Sequence, residues 1–330
     1  MNNTGIILTL AYPETIVMHA DEWYSPYLKY VGIGNKTHVR AGHAALVLIN
    51  KETGELEYHD FGRYITPEPN GRVRGKDTDN ELDFPIIAKI SNHKIANLKE
   101  ILEFLATNPK LTHGDGTLYA SACQNVNYDL ARAHITNMQN KHFIQYAAFV
   151  KDACNCARFV TDSLIASVTN ESIKRKLIRS KWFTPSTVGN VVLADTENYV
   201  YQVDDSGNIQ KFNSTVGKLN RQLFLDKLKD HIPNEIGTRL PKSVGFLEAH
   251  AQWLSGIAAG AWFELHKNEL GHEYVFRRIS PYGNIDVEAV FEVEDQSFNY
   301  HDPYQFVHYS NCQFFHIEQL GKVYRFNKKN

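Results

Sequence analysis

The feature that most constrains the fold is an apolar run at residues 43–49, which reads His-Ala-Ala-Leu-Val-Leu-Ile. Polar turn formers follow at residues 50–54, and residues 55–61 have a second extended pattern. Two extended runs joined by a short polar turn are typical of a β-hairpin. Together with a short apolar strand at residues 6–11, the hairpin predicts an antiparallel sheet near the beginning of the chain.

Further elements follow from hydrophobic spacing and turn chemistry. Ile95, Leu98, Leu102 and Leu105 recur at helical spacing, with Asn92 as a candidate cap. We also expect helices over residues 118–138 and 152–167, a strand over 84–90, and a long surface loop over 62–83. After residue 195, short strand patterns occur at residues 199–203, 261–265, 274–279, 285–293 and 323–326.

The predicted organisation is an α+β domain at residues 1–190 and a β-rich accessory domain at residues 191–330. Hydrophobic residues make up 43% of the 330 residues and charged residues 22%, which is typical of a folded globular protein. The formal net charge is -2, so the composition does not favour nucleic acid as a partner. We expect no membrane span, no signal peptide and a cytoplasmic location.

Cysteines are few, so a disulfide scaffold is not expected, and the sequence predicts free thiols. Cys156 follows Asp152, a candidate helix cap, and therefore lies in the first turn of a predicted helix. The positive end of a helix dipole favours a thiolate there, which suits a nucleophile. Phe159 and Val160 would put Cys156 on the apolar face, and we therefore favour it over Cys154.

His43 is the candidate base, because it begins a rigid apolar strand after Ala41 and Gly42. A third group should orient its ring. The neighbouring strand offers His59 and Asp60 on opposite faces, and the hairpin register decides which of them lies beside His43. Asp60 is the preferred orienting residue and His59 the alternate.

The order of these residues resembles the circularly permuted NlpC-type papain-like cysteine hydrolases. The resemblance covers residues 40–168 and rests on Gly42-His43-Ala44, Tyr58-His59-Asp60 and Asn155-Cys156-Ala157-Arg158-Phe159. This superfamily includes lecithin:retinol acyltransferase-like proteins and bacterial peptidases or amidases. It implies an antiparallel sheet with packed helices and a thioester intermediate on Cys156.

The implied function is a cysteine peptidase or amidase, or an acyltransferase, that acts on a peptide, amide or acyl substrate. Lipid-acting relatives usually carry a histidine where this chain has Ala157 or Arg158, so the sequence by itself points away from a lipid. We expect no cofactor and no metal ion. The alternatives are a non-catalytic binding module on a papain-like fold and a metal-dependent hydrolase that uses cysteine and histidine ligands.

Overall fold

A computed structural model of the chain describes residues 2–20, 22–64, 66, 69–79, 82–92, 94–231, 241, 244–256, 259–268, 271–279, 283, 285–307 and 314–329. Its strands are β1 (Gly5–Tyr12), β2 (Val17–Met18), β3 (His38–Val39), β4 (His43–Asn50), β5 (Leu56–Gly62), β6 (Asn70–Arg74), β7 (Ile90–Ser91), β8 (Lys94–Ile95), β9 (Leu118–Val126), β10 (Ile144–Gln145), β11 (Tyr201–Val203), β12 (Ile209–Lys211), β13 (Gln252–Gly256), β14 (Ala259–Lys267), β15 (Glu273–Ile279), β16 (Ile285–Val293), β17 (Gln305–Val307), β18 (Phe314–Gln319) and β19 (Lys322–Lys328). Its helices are a 3-10 helix (Ser25–Val31), α1 (Leu98–Thr107), α2 (Pro109–Thr112), α3 (Tyr128–Asn140), α4 (Cys156–Ser167), α5 (Glu171–Ser180), α6 (Thr187–Ala194) and α7 (Val216–Phe224).

The chain divides into two compact units, and the first has an eight-stranded sheet at its centre. The strand order is β10-β6-β5-β4-β1-β9-β11-β12. The pairings from β6 to β12 across this order are antiparallel. The predicted strand at residues 6–11 and the hairpin of β4 and β5 are therefore confirmed.

Both faces of this sheet are covered. Ala45, Val47 and Ile49 of β4 pack on the side of α1, whereas Ala44 and Leu46 pack on the side of α3 and α4. Burial on both faces explains why β4 reads as a continuous apolar run rather than as an alternating one. The helix that begins at Cys156 is thereby anchored directly on the hairpin.

The second unit contains a seven-stranded sheet in the order β13-β14-β15-β16-β19-β18-β17. Its core is rich in aromatic rings, and Phe276, Phe315 and Phe326 stack on one another. Aromatic rings bury large apolar areas, which suits a sheet that carries few helices. The predicted α+β class with antiparallel sheets and a β-rich C-terminal part is confirmed.

The two units do not divide the chain at residue 190. Residues 1–62, 71–74 and 82–232 form the first unit, and residues 63–70, 75–81 and 233–330 form the second. Residues 191–232 group with the first unit because β11 pairs with β9 of its sheet. The assignment of 1–190 and 191–330 as functional domains stays a prediction.

Two of the predicted helices need correction. Residues 118–138 contain β9 and then α3, since residues 118–126 pair with strands on both sides. Such partners are distant in sequence, so local spacing cannot reveal them. Asn92 does not cap α1; it has a φ of 49° in the turn between β7 and β8, and Asn97 occupies the cap position.

The strand and the loop predicted between residues 62 and 90 also differ from the structure. Residues 84–89 are not a strand, because Pro85 cannot donate to a ladder and Phe84 packs between Tyr58 and Phe104. The predicted loop over 62–83 includes β6, which pairs with β5. This strand brings buried arginines next to the hairpin, with consequences for the candidate site.

In the part of the chain that the structure describes, no helix is both long enough and apolar enough to cross a membrane.

The packing of α4 on β4 predicts a large effect of a core substitution. Phe159 is fully buried between this helix and the sheet. We expect Phe159→Ala to lower the free energy of unfolding, measured by urea denaturation, by about 3–5 kcal/mol because it leaves a cavity. Leu130→Ala, at a 39% exposed position, is the matched control and should change it by less than about 0.5 kcal/mol. Equal effects of the two substitutions would contradict this packing.

Candidate active site

His43 is placed by the beginning of β4 and by the glycine before it. Gly42 has a φ of 77°, and a Cβ atom at this position would lie 2.7 Å from the Cα of Pro13. Only glycine adopts this conformation in this space without strain. His43 pairs with Tyr12 of β1, and its ring lies parallel to the Tyr12 ring. The imidazole is therefore held at a rigid edge of the sheet.

The hairpin register puts Asp60 on the same face as His43. Asp60 lies opposite Ala45, two residues after His43, and residues two apart on a strand share a face. The Nε2 atom of His43 is 3.0 Å from Oδ2 of Asp60. The preferred orienting residue thus contacts the candidate base directly.

His59 lies on the opposite face of β5. Its Nδ1 atom is 3.2 Å from the carbonyl oxygen of Arg74, and its Nε2 atom is 3.6 Å from Oε2 of Glu57. The ring is fully buried. The structure therefore does not bring His59, the alternate orienting residue, to His43.

Arg74 of β6 is a residue of the site that the sequence argument left aside. Its Nε atom donates to Oδ1 of Asp60 at 2.9 Å, and its Nη2 atom donates to Oδ2 at 2.6 Å. Such a bidentate pair fixes both the position and the plane of a carboxylate. Arg72 and Arg74 alternate with Val73 in a period of two, and this pattern could have identified a strand in place of a solvated loop.

The charges of this cluster shift the pKa values of Asp60 and His43 in opposite directions. Burial would raise the pKa of Asp60, but the charge of Arg74 and the hydrogen bonds from His43 and Arg74 hold it well below its usual range. Burial would lower the pKa of His43, but hydrogen bonds with Asp60 and Cys156 raise it to about 9. The imidazole is accordingly favoured in its protonated form at neutral pH.

Cys156 is the first residue of α4. Asn155, rather than the predicted Asp152, caps this helix, because its Oδ1 atom accepts from the backbone N–H of Arg158 at 2.9 Å. The Sγ atom of Cys156 lies 4.0 Å from the carbonyl oxygen of Gly42. The thiol is thus at the positive end of the helix and beside the residue that precedes His43.

The segment before α4 is closed by backbone and side-chain bonds. Tyr146 and Cys154 form an isolated parallel bridge. The Nη1 atom of Arg158 donates to the carbonyl oxygens of Val150 at 2.8 Å and Ala153 at 2.9 Å. These bonds fix the chain that leads into Cys156.

Cys154 differs from Cys156 in its surroundings. Both thiols are buried, but Cys154 does not line the cavity described below, and Cys156 does. Burial, with the nearby charge of Asp162, raises the pKa of Cys154 far above its usual value. Burial likewise raises the pKa of Cys123 to about 11. Cys312 lies outside the described residues.

A cavity of about 410 Å³ opens beside Cys156, within the first unit. Its lining includes Gly42, Asn155 and Cys156 on one side and residues of the 3-10 helix and α7 elsewhere. This volume is in the range of small-molecule binding sites. Among the described residues, no three His, Cys, Asp or Glu side chains come together as a group that could hold a metal ion.

The raised pKa of His43 predicts a pH-dependent contribution to stability. A group whose pKa rises from 6.5 to about 9 on folding stabilises the fold fully below about pH 6.5, and this stabilisation is lost as the pH rises through 9. We expect the free energy of unfolding of the parent, measured by urea denaturation, to fall by about 3 kcal/mol across this window. In His43→Gln this part of the pH dependence should vanish; an unchanged profile would contradict the prediction.

The contact between Arg74 and Asp60 predicts a graded loss of stability. Arg74→Met leaves a buried carboxylate without its bidentate partner and should cost about 3–5 kcal/mol. Arg74→Lys keeps the charge but not the two parallel bonds, so its cost should be smaller. The exposed Arg175→Met is the matched control and should stay within about 0.5 kcal/mol in the same urea titration. If Arg74→Met changes the free energy of unfolding no more than Arg175→Met does, the stabilising role of the Arg74–Asp60 pair is disproved.

Comparisons with known proteins give two family matches. A model described as "Type VI secretion system effector TseH-like" matches residues 7–173, about half of the chain. A model described as "DUF6695 C-terminal domain" matches residues 251–329. No curated protein matches the sequence. A crystal structure of the type VI secretion system effector TseH is similar at 14% identity, covering 64% of this chain and 100% of that chain, with a TM-score of 0.38. The chain belongs to the TseH-like family of type VI secretion system effectors.

Proposed function

We propose that the chain is a cysteine-nucleophile hydrolase or acyltransferase, with Cys156 as nucleophile, His43 as base and Asp60 as the residue that orients His43. The observation that carries this proposal is the contact between His43 and Asp60 at the beginning of β4, next to the residue whose carbonyl group lies beside Cys156. His43 Nε2 is bonded to Asp60 at 3.0 Å, and Cys156 Sγ lies 4.0 Å from the carbonyl oxygen of Gly42, the residue that precedes His43. This is the arrangement that thiol catalysis requires.

The order of the three residues along the chain supports a permuted papain-like fold of the NlpC type. His43 and Asp60 lie on a hairpin that precedes the Cys156 helix, and this helix packs on that hairpin. In the papain-like arrangement, the base is likewise presented by a sheet to a cysteine at the beginning of a helix. We propose this fold for residues 1–190, with residues 191–330 as the accessory domain.

The proposed reaction proceeds through a thioester. The Cys156 thiolate attacks a carbonyl carbon while backbone N–H groups at the beginning of α4 donate hydrogen bonds to the negatively charged oxygen that develops. The His43 imidazolium then gives its proton to the leaving group. Asp60, fixed by Arg74, keeps the ring in place during both steps. Water completes hydrolysis, and another acceptor in place of water would complete an acyl transfer.

Membership of the TseH-like family supports a role as an effector that a type VI secretion system delivers. Attack on an amide or ester in a target cell would fit such a role. A non-catalytic binding module would have no need for the contact between a buried Asp60 and His43 beside a thiol, so the geometry favours the enzyme.

Site-specific alkylation tests the proposed nucleophile. We expect iodoacetamide at neutral pH to label Cys156 at least about tenfold faster in the parent than in His43→Gln, since His43 is the proposed base for this thiol. Mass spectrometry of peptides would report Cys154 in the same sample as an internal control, and Cys154 should react slowly in both proteins because burial raises its pKa. Equal, slow labelling of Cys156 and Cys154 in both proteins would overturn the enzyme and favour the binding module.

A further inference from the structure

The cavity beside Cys156 is walled mainly by apolar side chains. Its aliphatic and aromatic lining includes Val17, Met18, Leu28, Ile33, Val39 and Phe224. An apolar wall of this kind gains free energy when it covers hydrocarbon, and it offers little to a charged or sugar-like substrate. The group that enters the cavity should therefore be hydrocarbon.

Three polar side chains of the cavity wall, those of Glu22, Tyr24 and Ser25, are engaged in hydrogen bonds within the protein. The Glu22 carboxylate accepts the backbone N–H groups of Ala148 and Phe149, each at 3.0 Å, and the Tyr24 hydroxyl at 2.5 Å. Ser25 Oγ donates to the Ala20 carbonyl oxygen at 2.7 Å. Because these side chains already have hydrogen-bond partners within the protein, they contribute little hydrogen bonding to a ligand in the cavity.

Aromatic rings extend from the cavity to the protein surface. Phe149 and Phe183 line the cavity and are nevertheless 44% and 73% exposed. Ring contacts join Trp23 to Tyr24, Tyr24 to Phe149 and Phe149 to Phe183, with centroids 5.0–5.9 Å apart. We call Trp23, Phe149, Trp182 and Phe183 the aromatic rim; its two tryptophans are 84% and 85% exposed.

Positive charge lies next to this rim along the chain. Helix α5 has the sequence ESIKRKLIRS, with four basic residues and one acidic residue. Arg175, Lys176 and Arg179 are exposed, and the rim residues Trp182 and Phe183 follow within a few positions. Exposed aromatic and aliphatic side chains combined with lysines and arginines are typical of surfaces that bind anionic membranes.

We propose that the substrate of the Cys156 site is an ester-linked acyl lipid in an anionic membrane, with the acyl chain in the cavity and the aromatic rim in the lipid interface. This inference rests on the proposed function and names its substrate class. It reverses the direction given by Ala157 and Arg158 in the sequence, because most of the cavity lining comes from segments distant from that motif, although Ala157 itself also lines the cavity. A hydrated polar substrate would have to give up its water to enter an apolar cavity, which costs free energy.

Hydrolysis of this substrate needs water as the only other reactant. The Cys156 sulfur forms a bond to the acyl carbonyl carbon, the carbon–oxygen ester bond breaks, and the alcohol leaves with the proton of the His43 imidazolium. Water then attacks the thioester and gives one proton to His43, so that the carbon–sulfur bond breaks and the fatty acid is released. The thiolate and the imidazolium are restored.

A chain-length series tests the acyl site. The full chain would be assayed with the p-nitrophenyl esters of acetate, octanoate and decanoate. Each buried methylene is worth about fourfold, so burial of only about two of the additional methylenes of decanoate should already raise kcat/KM at least about tenfold over acetate. Ala148→Phe and Ile33→Phe, which each put a larger side chain into the cavity lining, should each lower the ratio of decanoate to acetate kcat/KM. Cys156→Ser should abolish hydrolysis of all three esters, whereas Cys154→Ser should not.

Vesicle binding tests the membrane surface. We expect the full chain to sediment with phosphatidylglycerol vesicles and not with phosphatidylcholine vesicles. The double variants Trp182→Ser/Phe183→Ser and Arg175→Glu/Lys176→Glu should each lose at least about tenfold in binding. Leu320→Ser, at an 89% exposed apolar position, and Lys94→Glu/Lys99→Glu, at exposed lysines, are the matched controls and should bind like the parent.

The outcomes separate the inference from the proposed function. If hydrolysis of p-nitrophenyl acetate depends on Cys156 but kcat/KM does not increase with acyl chain length, the lipid substrate is wrong. The proposed cysteine enzyme would still be supported. A preference for an N-acylated peptide amide with an apolar side chain over every ester would also overturn the lipid substrate. Absence of any Cys156-dependent hydrolysis, together with slow alkylation of Cys156, would overturn both. A chain-length preference without binding to anionic vesicles would overturn the membrane part.

Discussion

The paired hydrogen bonds between Arg74 and Asp60 hold together the part of the fold on which the candidate site depends. They join β6 to β5 below the surface and fix a carboxylate that also bonds to the His43 ring and to the Tyr58 hydroxyl. Without the nearby cation, the buried carboxylate would take up a proton, and its charged hydrogen bond with the imidazole would be lost. The position and charge of the base therefore depend on a strand that contributes no group to the bond-making step.

The first half of this arrangement could be predicted from sequence because it is local. The hairpin of β4 and β5 follows from apolar runs and a turn, and the position of Cys156 follows from helix spacing. The choice between His59 and Asp60 could not be made from sequence, because it depends on a register that a shift of one residue would invert. The register of the structure puts Asp60 beside Ala45.

The remaining parts depend on contacts between distant residues, which hydrophobic periodicity does not report. The prolines and charges around β6 predict a loop at Arg74, whereas the strand forms through its pairing with neighbouring strands such as β5. The local spacing also predicts a helix at β9, because it does not report that β1 and β11 supply the hydrogen bonds of this strand. The cavity is also non-local: residues near 20, 150, 184 and 220 in the sequence meet only in the folded chain.

Gly42 and its neighbour Ala41 differ in how strongly the structure restricts their side chains. The positive φ of Gly42 and its close approach to Pro13 leave no room for a side chain. The position of the Gly42 carbonyl group beside Cys156 therefore requires glycine at this residue. Its neighbour Ala41 lines the cavity, where a larger side chain would occupy part of the space open to a ligand. Over evolutionary time, related chains could therefore change the size of the group they accept at residue 41 while the surroundings of the nucleophile remained the same.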